Sequence, residues 1–124
     1  MTIKVLYVDD ETDIRTIVEF ALEDEEGLTI QLCASGAEAL VRVESYQPDI
    51  ILLDVMMPSM DGPTTLQHLR NKPCCANTPV VFVTAKVQPH EVAHFKELGA
   101  VAVIAKPFDP MTLAEQVWQI WRRC

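Results

Sequence analysis

The sequence predicts an α/β fold, a single doubly wound domain in which a five-stranded parallel sheet carries helices on both faces. Two observations point there. Five short apolar segments rich in β-branched residues recur along the chain, and most lack the strict alternation of a strand with one wet face. A helical pattern follows each of them, so the order is five β-α units joined by right-handed crossovers. At 124 residues the chain suits one domain with a substantial core. For five such units the expected strand order is 2-1-3-4-5.

The first strand is IKVLYV, residues 3–8. The helix after it, 12–24, places Ile14, Ile17, Val18, Ala21 and Leu22 on one stripe, with Glu11 and Asp13 beside the positive end of its dipole. LTIQLC, 28–33, is the second strand, and Ser35 with Glu38 makes a capping box that opens a second helix to about Ser45. DIILLD, 49–54, is the third strand, and Pro63 fits the first turn of the third helix. The segment NKPCCANTP, 71–79, is a loop. PVVFVT, 79–84, is the fourth strand, and Pro89 opens the fourth helix. AVAVIA, 100–105, is the fifth, and a last helix runs from Pro110 almost to Cys124. There Leu113, Val117, Ile120 and Trp121 should be core. Met111 and Trp118 lie on the margin of that stripe, packed at its edge or open to a partner.

Composition narrows the function. A formal net charge of −8 argues against nucleic acid as a direct partner. No apolar run approaches the ~20 residues that span a bilayer. Met1-Thr2 leads straight into the first strand without a signal-peptide pattern, so a cytoplasmic protein is expected. Cys33, Cys74, Cys75 and Cys124 show neither CxxC spacing nor a disulfide framework, which favours reduced thiols. The adjacent pair Cys74-Cys75 leaves a redox role open.

The chemistry collects at one end of the sheet. Strand 1 ends in Asp9-Asp10, strand 3 in Asp54, strand 4 in Thr84-Ala85-Lys86 and strand 5 in Lys106-Pro107. In an open α/β sheet, ligands bind beyond the C-terminal ends of the strands where the strand order reverses. Strands 1 and 3 flank that point, so three carboxylates, a hydroxyl and an ammonium converge. Clustered carboxylates raise one another's pKa unless a cation joins them, and an all-oxygen set with open positions favours Mg²⁺.

The segments VDDE (8–11), LLDVMMPSMDG (52–62), VTA (83–85) and KPF (106–108) carry a resemblance. In order and spacing they are similar to those of response-regulator receiver domains, over essentially the whole chain. The resemblance implies a flavodoxin-like fold and a phosphorylation-activated switch in two-component signalling. Asp54 would accept a phosphoryl group from a phosphohistidine of a sensor kinase or phosphotransfer protein. Asp10, Asp54 and the backbone carbonyl of Met56 would ligate Mg²⁺, or Mn²⁺ in its place, with Asp9 assisting largely through water. Thr84 would hydrogen-bond the phosphoryl oxygens, Lys106 would pair with them, and Pro107 would follow a cis peptide bond. Met56 and Lys86 occupy positions that tune hydrolysis. Val103 departs from the pattern, since many receivers carry an aromatic switch residue there.

By the same resemblance the chain catalyses only its own phosphorylation and dephosphorylation. Its signalling surface would be the fourth helix, fifth strand and fifth helix, where a downstream partner or a phosphorylation-dependent dimer would form. Residues 1–124 are expected to be a receiver without an output domain.

One motif points elsewhere. HEVAH, 90–94, matches the HExxH helix of zinc-dependent hydrolases. At ~100° per residue, however, Val92, Phe95 and Leu98 form the buried stripe and both histidines face away from it. A catalytic zinc also needs a third protein ligand, and none suggests itself downstream. His68, alone on the third helix, is expected at the surface.

Overall fold

The fold, a computed structural model describing residues 2–124, has its strands at β1 (Ile3–Val8), β2 (Leu28–Cys33), β3 (Ile50–Asp54), β4 (Val80–Thr84) and β5 (Ala102–Ala105). All four neighbouring pairs are parallel, and the strand order is β2-β1-β3-β4-β5, as the sequence predicts. The helices are α1 (Thr12–Leu22), α2 (Gly36–Tyr46), α3 (Gly62–Arg70), α4 (Pro89–Glu97) and α5 (Leu113–Arg122), with a short 3₁₀ turn at Pro73–Cys75 inside the expected loop.

The sheet divides the interior into two cores. Side chains alternate across a strand, and the division follows that alternation. Leu6, Val8, Ile51, Leu53 and Phe82 meet Ala39 and Val43 of α2, Leu66 and Leu69 of α3 and Phe95 of α4. Val5, Tyr7, Ile50, Leu52 and Val83 meet Val18 and Leu22 of α1 and Leu113 and Val117 of α5 on the opposite face. The three central strands are therefore largely apolar on both sides, which is why their sequences lack strict alternation, Lys4 near the start of β1 being the exposed exception. The edge strands β2 and β5 are only partly covered.

Element ends differ from the sequence reading where a side chain or a turn intervenes. Asp49 stands outside β3 because its carboxylate accepts the backbone N–H of Lys4 at 2.8 Å. Pro79 has no N–H to give to a ladder, and β4 starts one residue later. Ala100 donates to the carbonyl of Phe95 and so still belongs to the turn closing α4. Gly99 in that turn has φ +116°, a conformation that side-chain-bearing residues rarely adopt. Pro110 does not open α5. The carboxylate of Asp109 accepts from Met111 N at 2.9 Å and its carbonyl from Thr112 N at 3.0 Å, a local turn that holds the chain until Leu113. The Ser35 hydroxyl caps α2 by accepting from Glu38 N, but the Glu38 carboxylate reaches Ala34 N, one residue outside the usual capping box.

Some helix stripes are narrower than expected. Ile17 is partly exposed and Phe20 is 73% exposed on α1. Leu98 lies outside the buried stripe, while Phe95 carries the packing of α4, edge-on to Phe82 with ring centroids 5.3 Å apart. Ile120 and Trp121 are half-buried beside the core, as is Trp118. Met111 is 85% exposed and packs at no edge.

Candidate functional site

The register of the central strands builds the site. Val8 of β1 lies beside Leu53 of β3, so the next residues, Asp9 and Asp54, emerge side by side. Asp54 in turn lies beside Val83, and Thr84 follows at the end of β4. β1 and β3 flank the point where the strand order reverses, with β2 on the far side of β1. Carboxylate oxygens of Asp9, Asp10 and Asp54 fall within 4.8 Å of one another, the one such cluster of His, Cys, Asp or Glu among the described residues.

Asp9 and Asp54 are buried, and Lys106 bridges them. Its Nζ lies 2.9 Å from Asp9 Oδ2 and 2.9 Å from Asp54 Oδ1. Asp9 is fixed further by the Tyr7 hydroxyl, which donates to Oδ2 at 2.8 Å, and by Glu11 N, which donates to Oδ1 at 3.0 Å. Arg15 donates to the Asp9 carbonyl at 2.7 Å. Burial first, and the Asp9 charge second, push the Tyr7 phenol far above its ordinary pKa, so it remains a donor. Tyr7 and Arg15 carried no signal in the sequence reading, because a tyrosine in an apolar strand and an arginine on a helix are unremarkable alone.

The two ends of the ion pair respond differently. Burial pushes the Asp54 carboxyl up to about 6; the hydrogen bond from Lys106 opposes this, and the charges of Asp9 and Asp10 add to it. Burial alone would lower Lys106, but its hydrogen bonds to Asp9 and Asp54 outweigh that and hold it above its ordinary value. One ammonium shared between two carboxylates satisfies itself better than it satisfies either partner.

Thr84 is buried, and its Oγ accepts from Lys86 N at 3.1 Å. Its carbonyl accepts from Lys106 N at 2.9 Å, tying the end of β4 to the residue that bridges the carboxylates. The Lys106-Pro107 peptide bond is cis, as expected. Gly62 also proves structural. Its N–H donates to the Val55 carbonyl at 2.8 Å, and a Cβ there would stand 2.5 Å from the Asp54 carbonyl oxygen and 2.9 Å from Val55 Cα. Only glycine lets the loop after β3 fold back beneath Asp54. Met56, on that loop, is 69% exposed, and Lys86 is exposed. Val103 is half-buried opposite Phe82. His68, His90 and His94 are all exposed, and no third ligand joins the HEVAH pair among the described residues.

Three carboxylates against one ammonium leave an excess of negative charge on an all-oxygen site open to solvent at Asp10. That donor set fits a small divalent cation such as Mg²⁺. With no cation bound, the sign of the pH dependence follows from Asp54. A carboxyl held above its ordinary pKa binds its proton more tightly in the fold than in the unfolded chain. Its contribution favours the fold below about pH 4 and is lost as pH rises through about 6. In chelator, Asp54→Asn should therefore gain stability over the wild type progressively between about pH 4 and pH 7, then level off. Urea unfolding at several pH values measures it, and a difference that shrinks with rising pH would contradict the assignment.

Comparison with known proteins agrees with the geometry. Residues 5–118 match the family model described as the response regulator receiver domain. The chain is 37% identical over 123 residues to the alkaline phosphatase synthesis transcriptional regulatory protein PhoP of Bacillus subtilis, covering 99% of this chain and 50% of that protein. It is 36% identical over 108 residues to the response regulator Rre1 of Synechocystis, covering 87% and 47%. The chain thus spans about half the length of the curated relatives it matches. Among solved structures, the chemotaxis response regulator CheY4 of Vibrio cholerae superposes with a TM-score of 0.88 at 32% identity, covering 97% of this chain and 99% of that one. With strand order, carboxylate cluster and sequence in agreement, the chain belongs to the response-regulator receiver domains of two-component signalling.

Proposed function

We propose that Asp54 is the phosphoacceptor of this receiver and that Asp9, Asp10, Asp54 and the backbone carbonyl of Met56 hold Mg²⁺, or Mn²⁺ in its place. Receiver domains are signalling switches rather than enzymes acting on a separate substrate. They take their phosphoryl group from histidine kinases or phosphotransfer proteins and generally bind Mg²⁺ at an acidic pocket. The observation that carries the assignment is the Lys106 ammonium 2.9 Å from Asp54 inside the carboxylate cluster.

An Asp54 oxygen attacks phosphorus, the P–N bond to the donor imidazole breaks, and an acyl phosphate forms. Bound Mg²⁺ would offset the repulsion between the attacking carboxylate and the phosphoryl oxygens. Lys106 needs little movement to transfer one hydrogen bond from the Asp54 carboxylate to a phosphoryl oxygen. Asp9 stays in place through Tyr7 and Glu11 N while Lys106 moves. The Thr84 hydroxyl still has its proton to donate, because its present contact with Lys86 N uses only the oxygen. Met56 is apolar and brings no hydrogen-bonding group to orient hydrolytic water. The chain's own catalysis is limited to gaining and losing this group, and we place that activity in the cytoplasm.

Two surface grooves bear on signalling, one of them adjoining the site. A groove of about 410 Å³ lined by Ile14, Ile17, Ala85, Pro107 and Phe108 opens between α1 and the β5–α5 connection, with Lys106 in its wall. An apolar lip beside the acceptor suits the helix of a phosphohistidine donor. On the opposite flank, a groove of about 250 Å³ between α4, β5 and α5 is lined by Val92, Lys96, Val103, Gln116, Gln119 and Arg123. This face would meet a downstream partner or a second phosphorylated copy. Val103 has no ring to swing and is stiff at χ1. Transmission therefore runs through the Thr84–Gln88 backbone into α4.

With Mg²⁺ and acetyl phosphate, intact-mass analysis should find one added phosphoryl group, absent from Asp54→Asn; undiminished labelling of that variant would reject the assignment. Mg²⁺ should also raise thermal stability, by about 1.4 kcal/mol at ten times Kd. Asp10→Asn should blunt that rise while stabilising the metal-free protein, since it removes a like charge. A variant that keeps the full Mg²⁺ dependence would remove Asp10 from the site. Finally, Ile17→Lys should slow transfer from a phosphorylated histidine phosphotransfer protein by about tenfold, equivalent to about 1.4 kcal/mol, while acetyl phosphate labels it normally. Equal transfer rates would move the donor surface elsewhere.

A further inference from the structure

At the opposite end of the sheet from the carboxylates, the connection from α3 to β4 carries two adjacent thiols. Cys74 and Cys75 lie in the 3₁₀ turn with their Sγ atoms 3.8 Å apart. Neither is in a disulfide. Cys74 is partly exposed, and its thiol also faces the Glu44 carboxylate of α2, 3.5 Å from Oε1. Cys75 is buried against the core formed by α2, α3 and α4. The turn is braced from behind. Arg70 donates to the carbonyls of Cys75 at 2.9 Å and Thr78 at 2.7 Å, and Cys75 N donates to the Lys72 carbonyl at 3.0 Å. Lys72 holds Glu44 in place at 3.0 Å.

This arrangement has a defined chemistry. Two sulfurs in contact on consecutive residues chelate a thiophilic centre that has two exchangeable positions. One partly exposed thiol is available for the first bond, and the second follows within the same ring. We propose that Cys74 and Cys75 form a vicinal dithiol site for trivalent arsenic compounds bearing one carbon substituent. An arsenic oxide R–As=O gives up its oxygen as the two S–H bonds break. Two As–S bonds form, and both protons leave with the oxygen as one water. Arsenic stays trivalent and neither sulfur is oxidised, so no further reactant is required. Cys74 captures first through its partly exposed thiol, which the Glu44 carboxylate orients from 3.5 Å, and its proton passes to the arsenic-bound oxygen. Closure of the ring draws Cys75 from its buried position, and burial keeps its thiol protonated until then, with a pKa of about 11. Cys33 is buried and Cys124 is exposed at α5, so neither offers a second adjacent sulfur.

Phenylarsine oxide is the probe, applied to the folded chain in excess glutathione, which strips arsenic from single thiols but competes poorly with a chelating pair. Intact mass should show one phenylarsenic group per chain, removed by 2,3-dimercaptopropanol. Cys74→Ser, which alters a partly exposed side chain, should lose the adduct, and so should Cys75→Ser. The double variant Cys33→Ser/Cys124→Ser should keep it. A glutathione-resistant adduct on Cys74→Ser would overturn the proposal. So would a wild-type chain that takes the probe only after denaturation.

Discussion

The structure depends on one ammonium placed between two buried carboxylates. Asp9 is fully buried and Asp54 nearly so, and each would be costly to desolvate as an isolated charge. Lys106 reaches both at 2.9 Å, but it arrives from 97 residues beyond one and 52 beyond the other. Nothing local can bring these groups together. The pairing requires β1, β3 and β5 to end at the same level of one sheet, which in turn requires the parallel register that the two apolar cores impose. Removing the ammonium leaves two buried carboxylates uncompensated. Site and fold are therefore specified by the same contacts.

Around that bridge the support is uneven, and the unevenness sorts the roles. Asp9 is held by a phenol, a backbone N–H and Lys106, so it has little freedom. Asp54 has a hydrogen bond from Lys106, and burial pushes its carboxyl up to about 6. A carboxylate that remains underpaired in a buried site is reactive toward anything that spreads its charge, a cation or an electrophilic phosphorus. Gly62 supplies the room, since any side chain there would strike the backbone of Asp54 itself. On the proposed chemistry, Asp9 is a fixture of the site and Asp54 its reagent.

How much of this the sequence disclosed depends on the range of the interaction. Strands and helices were readable because apolar spacing is local, whereas the strand order was an expectation from the common doubly wound arrangement rather than a deduction from periodicity. Their ends were less readable. A single aspartate, Asp109, delays α5 by bonding its own neighbours, and Pro79 removes itself from β4 by lacking an N–H. At the site, Asp9, Asp10, Asp54, Thr84 and Lys106 stood out because each interrupts an apolar run at a strand end. Tyr7 did not, because it interrupts nothing; only the β1 pleat reveals that its hydroxyl turns toward Asp9. Gly62 was visible as a motif letter, but its reason lies in a steric contact with Asp54. The Ile17 and Phe20 side chains were assigned or passed over by periodicity, which locates a face and not the width of the surface that covers it.

Magnitudes limit how a phosphoryl group on Asp54 could drive such a structure. The group can shift an equilibrium only by the difference in its interactions with the two states. A hydrogen bond to a charged group contributes about 1.5–3 kcal/mol, so new bonds from Thr84 and Lys106 would supply roughly 3–6 kcal/mol before losses. Against that stand the present contacts, Thr84 Oγ with Lys86 N and Lys106 Nζ with Asp54, which must be exchanged. Inverting a ratio of 1:99 takes about 5.5 kcal/mol, close to the whole of what is available. On the proposed chemistry the unphosphorylated chain must then visit its active arrangement appreciably. The half-buried Val103 fits that requirement, since a small side chain facing Phe82 lets α4 and β5 adjust without expelling a ring from the core. A switch with this little driving force works only if its resting state is weakly held, and the segment from Ala85 to Pro89, exposed along its whole length, is free of the core packing that would resist such a shift.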